Sequence, residues 1–158
     1  MASTCYTTGM KNISDGTTID FDGDTIKVML VQASYTIDRD DDFVDEAGAN
    51  DPVDHELSVT NYTGGFAGAG RKTLASKTIT ANKSGGTPAN AVVFDAADIT
   101  WTALGSGQTI ESCILIKEVT NDAATSMICV LDVSQATNGG DITLQFHATD
   151  GIFKLNTA

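Results

Sequence analysis

The stretch "TIESCILIKEVTNDAATSMICVLDVS", residues 109–134, decides the fold. Two runs rich in β-branched and apolar residues, 109–119 and 125–134, flank the short polar segment "TNDAA". This arrangement is typical of an antiparallel β-hairpin. The first run holds four consecutive apolar residues, Cys113 to Ile116, so it lacks the alternation of a strand with one wet face. We therefore predict a strand that is buried on both faces, either in the middle of a sheet or beneath a partner.

Shorter runs of the same kind occur on both sides of this hairpin. Strands are predicted within residues 25–35, 55–62, 91–104, 141–149 and 151–157, with one bulged strand or two strands within 71–83. The last two strands are expected to pair across the turn signal Asp150-Gly151. Residues 40–48, "DDDFVDEAG", are predicted to form one short helical turn. Long helical patterns are missing, so we expect an all-β fold, a single antiparallel β-sandwich (Ig-like or jelly-roll-like) of about eight short strands.

The core is expected to form from the apolar residues of these strands. Burial of one Ile or Leu side chain contributes roughly 1.5–3 kcal/mol to folding. The predicted centre of the core consists of Val93, Trp101, Ile114, Ile116, Ile128, Val130, Leu144 and Phe146.

The length of 158 residues suits one domain. Residues 1–16, "MASTCYTTGMKNISDG", are polar, so they are predicted to form a short N-terminal arm ahead of a sandwich domain at 17–158. They have no apolar core of the kind found in a secretory signal. Elsewhere the chain has no apolar run of the roughly 18 residues that a membrane-spanning helix needs. The sequence thus predicts a protein made in the cytoplasm.

The formal net charge of −12 is distributed unevenly. Residues 1–56 hold 13 acidic residues against three basic ones, and the remainder holds 8 acidic residues against 6 basic ones. The densest part is "DRDDDFVDEAGANDPVDHE", residues 38–56. Such a charge repels nucleic-acid phosphates and anionic membranes, so neither is an expected partner. The segment is either a solvated loop or a surface that meets a basic partner or collects cations.

Asp20, Asp22 and Asp24 have the spacing of the first ligands of a calcium loop. An EF-hand that began at Asp20 would need Gly at its sixth position and Glu at its twelfth, where this chain has Thr25 and Val31. A strand pattern follows at once in place of a helix. The stretch is therefore predicted to be a tight turn, and no cofactor or metal ion needed for folding is expected. A weakly bound divalent ion at the three carboxylates is the alternative.

Few other residues could take part in catalysis or metal binding. Cys5, Cys113 and Cys129 have no CxxC spacing, which argues against a disulfide framework or a zinc site, and the last two lie in apolar runs. The sequence contains no GxSxG, HExxH or phosphate-loop motif. His147 is expected to be a hydrogen-bonded structural histidine. No catalytic residue is assigned, and the protein is predicted not to be an enzyme.

A series of phrases resembles a group of small virion proteins of tailed bacteriophages. The phrases occur in order as "DGDTIKVMLVQASYTIDRDDDFVDE", "ELSVTNYTGG", "KTLASKTITA", "FDAADITW", "CILIKEVTNDAATSMICVLDV" and "TNGGDITLQF" followed by "DGIF". The resemblance runs from about Asp20 to Leu155, most of the chain, and is most specific in the fourth and last phrases. The chain departs from the group at "TNYTGG", at 71–86, and at Phe146-His147, where a Trp is common.

The resemblance implies a structural component of a phage particle that has no chemistry of its own. The first expectation is a capsid decoration or cement protein that is made in the host cytoplasm. Its expected partners are the major capsid protein or other virion proteins, and it is expected to form a homo-oligomer or to be present in several copies on the particle. Alternatives are a tail, neck or fibre component or a carbohydrate-binding module, for which Tyr6, Tyr35 and Tyr62 are the aromatic residues near loops. The residues predicted to contact a partner are Ser3, Thr4, Tyr6, Asp38, Asp40, Asp41, Asp42, Arg71 and Lys72.

Overall fold

A computed structural model describes residues 3–46 and 50–156, which contain ten strands and one α-helix. The elements are β1 (Ser3–Cys5), α1 (Thr7–Asp15), β2 (Lys27–Gln32), β3 (Lys72–Thr73), β4 (Thr78–Asn82), β5 (Ala91–Asp95), β6 (Ile99–Trp101), β7 (Thr109–Lys117), β8 (Ser126–Ala136), β9 (Ile142–Leu144) and β10 (Phe153–Asn156). Short 3₁₀ helices occur at Pro52–His55 and Asp122–Ala124.

The strands form three antiparallel sheets, which confirms the prediction of an all-β, sandwich-like fold. Sheet A has the order β1-β8-β7-β2-β3, sheet B the order β10-β5-β4, and sheet C pairs β6 with β9. The predicted hairpin is β7–β8, and β7 is the middle strand of sheet A. The segment 71–83 contains two strands, β3 and β4, which is one of its two predicted forms.

Sheet A is buried on both faces because two apolar clusters cover it. Along β7, Cys113 and Leu115 belong to the larger cluster, and Ile114 and Ile116 belong to the smaller one. Successive side chains of a strand point to opposite faces, so four consecutive apolar residues serve both clusters. The larger cluster joins sheet A to sheets B and C and includes Val28, Leu30, Phe94, Trp101, Leu131, Leu144 and Phe153. The smaller cluster includes Tyr6, Met29, Val31, Tyr35, Val44, Met127 and Val130.

The predicted core is confirmed except at one position. Seven of its eight members are buried, and Phe146 is only partly buried at the rim of the larger cluster. Trp101 is 1% exposed, and its Nε1 donates a hydrogen bond to the carbonyl oxygen of Gly70 at 2.7 Å.

The N-terminal segment differs from the expected arm. β1 pairs with β8 at the edge of sheet A, and α1 packs against β8 at Gly9. A Cβ atom on Gly9 would lie 2.3 Å from the carbonyl oxygen of Met127, so only glycine permits this close approach. The described residues of 1–16 are therefore part of the domain. The composition did not predict this because a short edge strand needs little apolar surface of its own.

The strand predicted at 55–62 is wrong. Only Glu56 makes a bridge to Val31, and the chain then leaves the sheet. Leu57 N donates to Leu30 O, but Leu30 N donates to the hydroxyl oxygen of Tyr62. A side chain thus takes the position beside β2 that a neighbouring strand would fill with a backbone carbonyl.

The helical turn predicted at 40–48 is also wrong in its described part, 40–46; residues 47–49 lie outside the described residues. Met127 N donates to Asp42 O, and Val44 N donates to Thr125 O, so this segment bonds to the end of β8 in extended form. Hydrogen bonds to a sheet edge have replaced the local bonds of a helix.

The last two strands form, but they do not pair with each other. β9 pairs with β6, and β10 pairs with β5. Among the residues described up to Asn156, a single isolated bridge, His147 to Gly151, joins the two sides of the predicted turn. Long-range pairing within the core has overridden the local hairpin signal.

Candidate functional site

One edge of β8 brings together two of the segments predicted to contact a partner. β1 covers β8 from Leu131 to Cys129, and Tyr6 N then donates to Ile128 O at 3.1 Å. Residues 42–44 follow along the same strand through the bonds to Met127 and Thr125. Thr7 N also donates to Arg39 O at 3.2 Å. The N-terminal residues and the acidic segment, far apart in sequence, are therefore neighbours.

We name residues 38–46 the acidic edge. Its backbone is held from within as well as from β8: Asp40 N donates to Asp38 Oδ1, and Glu46 Oε1 accepts hydrogen bonds from the N–H groups of Asp42 and Phe43. Buried Val44 anchors the segment in the smaller cluster. Asp38, Asp40, Asp45 and Glu46 are exposed, and Asp41 and Asp42 are partly exposed. The result is a fixed loop that presents carboxylates to solvent.

Asp41 is partly buried among these carboxylates. Partial burial, followed by the negative charges of Asp38, Glu46, Asp51 and Asp40, raises the pKa of Asp41 to about 6. Each neighbour disfavours the ionised form, and a bound cationic group would favour it. The acidic edge therefore has the electrostatics of a surface for a basic partner.

Acidic side chains of the wider segment 38–56 are not all in water. Most of its carboxylates are exposed or partly exposed, and Asp51 and Glu56 are buried. Glu56 is compensated by an ion pair, as burial of a charge requires.

Tyr6 was predicted to contact a partner, but it is 1% exposed. Its hydroxyl group shares a 2.8 Å hydrogen bond with the hydroxyl group of Tyr35 beneath the acidic edge. Burial of Tyr35, with Asp41 nearby, raises the pKa of Tyr35 to about 12. Tyr6 therefore packs beneath the acidic edge and has no exposed surface that a partner could contact. Thr4 is half-buried in β1, and Ser3 belongs to the same strand.

Arg71 was also predicted to contact a partner, and it is a buried structural residue that is 3% exposed. Its guanidinium donates to Glu56 at 2.8 and 2.9 Å, to Glu118 at 3.1 Å and to Asp122. Burial favours a lower pKa for Arg71, but the hydrogen bonds to Glu56 and Asp122 outweigh burial and raise it. Neighbouring Lys72 is exposed on β3, at the opposite edge of sheet A from the acidic edge.

Asp20 and Asp24, between α1 and β2, form the predicted turn. Asp24 N donates to Asp20 O at 2.7 Å, and Gly23 N donates to Asp20 Oδ1 at 3.2 Å. The hydrogen bond from Lys117 to the Asp24 carboxylate lowers the pKa of Asp24. These carboxylates bond to the protein itself. Within 3–46 and 50–156, no group of three or more candidate ligands is arranged to hold a metal ion.

A groove that the sequence did not indicate lies between the C-terminal half of β8, β9 and β10, with a volume of about 860 Å³. Its lining includes the amide and hydroxyl side chains of Gln135, Thr143, Gln145 and Asn156. The partly buried ring of Phe146 adds an apolar surface. Sequence reasoning missed the groove because it exists only when β9 and β10 pair with other strands. His147, at its rim, is exposed, and its Nδ1 accepts hydrogen bonds from the N–H groups of Thr149 and Asp150.

Comparisons of the chain with protein-family models, with curated proteins and with solved structures found no match. Among the described residues, no helix combines the length and the apolar character needed to cross a bilayer.

Proposed function

We propose that this protein is a non-enzymatic structural component of a tailed-phage virion, a decoration protein that binds the outer surface of the major capsid protein lattice in several copies. The ordered phrases from Asp20 to Leu155 that resemble phage virion proteins support this class. The acidic edge is the observation that supports a contact with the major capsid protein. It combines a backbone held by β8 with outward carboxylates, as a docking surface requires.

The physics of such a contact follows from the fixed loop. Its residues are ordered before binding, so association costs less conformational entropy than for a flexible acidic tail. A partner that offers Lys or Arg relieves the repulsion centred on Asp41. Charge complementarity also speeds association and fixes orientation. The high negative charge elsewhere keeps free copies apart until a basic surface is available.

The proposal is tested on particles that lack the protein and on the isolated major capsid protein. The triple variant Asp38→Asn, Asp40→Asn, Asp45→Asn removes three exposed carboxylates from the acidic edge. The matched control, Asp22→Asn, Glu111→Gln, Asp132→Asn, removes three exposed carboxylates elsewhere and changes the net charge equally. At about 0.5 kcal/mol per exposed charge, the edge variant should bind about tenfold more weakly, and the control should bind as the wild type does.

The dependence of binding affinity on salt concentration gives an independent test. Affinity for particles should fall as ionic strength rises from about 50 to 500 mM, since exposed charges are screened over a Debye length. A flat salt profile, or equal weakening by the control variant, would show that the acidic edge is not the contact. Binding to purified tails, necks or fibres in place of heads would assign the protein to another part of the virion.

The groove supports a second candidate function, carbohydrate binding. Amides of Gln135, Gln145 and Asn156 supply the donors and acceptors that sugar hydroxyls require. The expected platform of Tyr6, Tyr35 and Tyr62 does not support this function, since all three rings are buried. A glycan array with wild type and Gln145→Ala tests it: the groove gains a role only if a sugar binds the wild type and the substitution weakens that binding.

A further inference from the structure

Two of the three cysteines face each other across strands β1 and β8. The register pairs Cys5 directly with Cys129, with Thr4 opposite Val130 on one side. The sequence places the two residues far apart and does not indicate this pairing. Both are free thiols in the structure.

The position of this pair within the ladder brings the two side chains close. Tyr6 N donates to Ile128 O, so Tyr6 and Ile128 occupy a hydrogen-bonded position. Such positions alternate along an antiparallel ladder, which makes Cys5 and Cys129 a non-hydrogen-bonded pair. In these pairs the Cα atoms are about 4.5 Å apart and the side chains are closest. A disulfide requires a Cα separation of about 4.4–6.8 Å. The backbone already has a geometry that a disulfide accepts.

The thiols also differ in character, as an attacking and a resolving cysteine do. Their mutual hydrogen bond and the charge of Arg39 lower the pKa of Cys5, although partial burial opposes this. The same hydrogen bond and complete burial raise the pKa of Cys129. Cys5 lies on a three-residue edge strand and is only partly buried. A small oxidant therefore reaches Cys5 first.

The third cysteine is in the wrong place for either partner. Cys113 on β7 lies opposite Leu131 on β8, so it is diagonal to Cys129, and diagonal neighbours are roughly 7–8 Å apart. That distance exceeds what a disulfide spans without backbone movement. Complete burial raises the pKa of the Cys113 thiol, which keeps it protonated and unreactive.

We propose that Cys5 and Cys129 form an intramolecular disulfide in the folded protein by exchange with a low-molecular-weight disulfide such as oxidised glutathione. The Cys5 thiolate attacks one glutathione sulfur, forms a mixed disulfide and releases one glutathione thiolate. Cys129 then loses its proton, attacks the Cys5 sulfur and releases the second glutathione. The two protein thiols give up two electrons and two protons in total, and one oxidised glutathione becomes two reduced molecules.

The disulfide would join the edge strand β1, and with it α1, to the body of sheet A. In a reducing cytoplasm the pair stays as thiols, and after release into an oxidising medium it becomes a covalent link. The inference does not rest on the proposed virion role, because it follows from the register and the thiols alone.

The test equilibrates the folded, reduced wild-type protein with glutathione buffers of increasing oxidised fraction, followed by denaturation and alkylation. We expect an intact mass lower by two hydrogen atoms, alkylation at Cys113 only, and a linked peptide pair that contains Cys5 and Cys129. Cys113→Ala should form the same link, and Cys5→Ser should not form it. The unfolding midpoint of the oxidised wild type should rise by about 5–15 °C because a long loop is closed.

Three results would overturn the inference. They are alkylation of Cys129 after equilibration at the highest oxidised fraction, a stable Cys5–glutathione adduct that does not resolve, and dimers joined through Cys5. A linked protein with an unchanged or lower unfolding midpoint would refute the expected stabilisation by the disulfide. The wild-type mass map gives the answer even if a variant fails to fold.

Discussion

Arg71→Ala should be among the most destabilising single substitutions in this protein. The guanidinium has no exposed side-chain surface and bonds to three carboxylates, those of Glu56, Glu118 and Asp122. These carboxylates are themselves only 5%, 8% and 12% exposed. Without Arg71, Glu118 still has Lys27 as a cationic partner, but Lys27 forms no ion pair with Glu56 or Asp122.

The magnitude follows from the cost of unpaired buried charge. Removal of one member of a buried ion pair typically costs about 3–5 kcal/mol, because the remaining charge stays desolvated. For a domain of this size each kcal/mol lowers the unfolding midpoint by about 2–4 °C. We therefore expect the midpoint of Arg71→Ala to fall by about 6–20 °C. Loop 56–71 should loosen first, since Glu56 and Tyr62 are held through the same cluster.

Thermal and urea unfolding, followed by circular dichroism, measure this effect. Lys72→Ala is the matched control, since Lys72 is the next residue and is exposed; its change should stay within about 0.5 kcal/mol. Arg71→Lys should fall between the two, because Lys keeps the charge but cannot donate to several carboxylates in a planar fork. A midpoint for Arg71→Ala within about 2 °C of the wild type would refute the view that this cluster stabilises the fold.

Three further substitutions or treatments test other parts of the structure. The pKa of Asp41 in the folded protein, about 6, lies above its ordinary value of 3.8, so ionisation of Asp41 destabilises the fold at pH 7, and this destabilisation should disappear as pH falls toward 4. After solvent screening, Asp41→Asn should be about 0.5–1 kcal/mol more stable than the wild type in urea at pH 7 and equal to it near pH 4; a constant difference would contradict this assignment. Gly9→Val should lower the free energy of unfolding by about 1–3 kcal/mol, measured by thermal unfolding, because the new side chain would meet the Met127 carbonyl. Gly85→Val is the control and should leave the midpoint unchanged, because Gly85 faces open space. Equal midpoints for the two variants would show that α1 is not packed as described. A chelator should leave the unfolding midpoint unchanged because Asp20 and Asp24 bond to the protein itself, and a drop of about 10 °C would reveal a structural metal ion.

Local patterns in the sequence were sufficient to predict most of the strands and many of the buried core residues. The hairpin β7–β8, the burial of β7 on both faces and the burial of Trp101 all follow from short-range composition. Such features depend on alternation and β-propensity within one strand, so neighbouring residues carry the information. The acidic edge was predictable in the same way, as a dense run of aspartates that burial would penalise.

Only the tertiary structure decided which distant segments of the chain contact each other. β9 and β10 form where predicted but pair with β6 and β5, since strand pairing is set by the whole core. Arg71 resembles a surface cation in sequence, and three carboxylates from distant segments make its burial possible. The polar N-terminus becomes an edge strand because β8 offers unpaired backbone groups, and this pairing places Cys5 against Cys129. A backbone hydrogen bond to a distant strand leaves no mark on the composition of the segment that makes it, so these features need the folded chain.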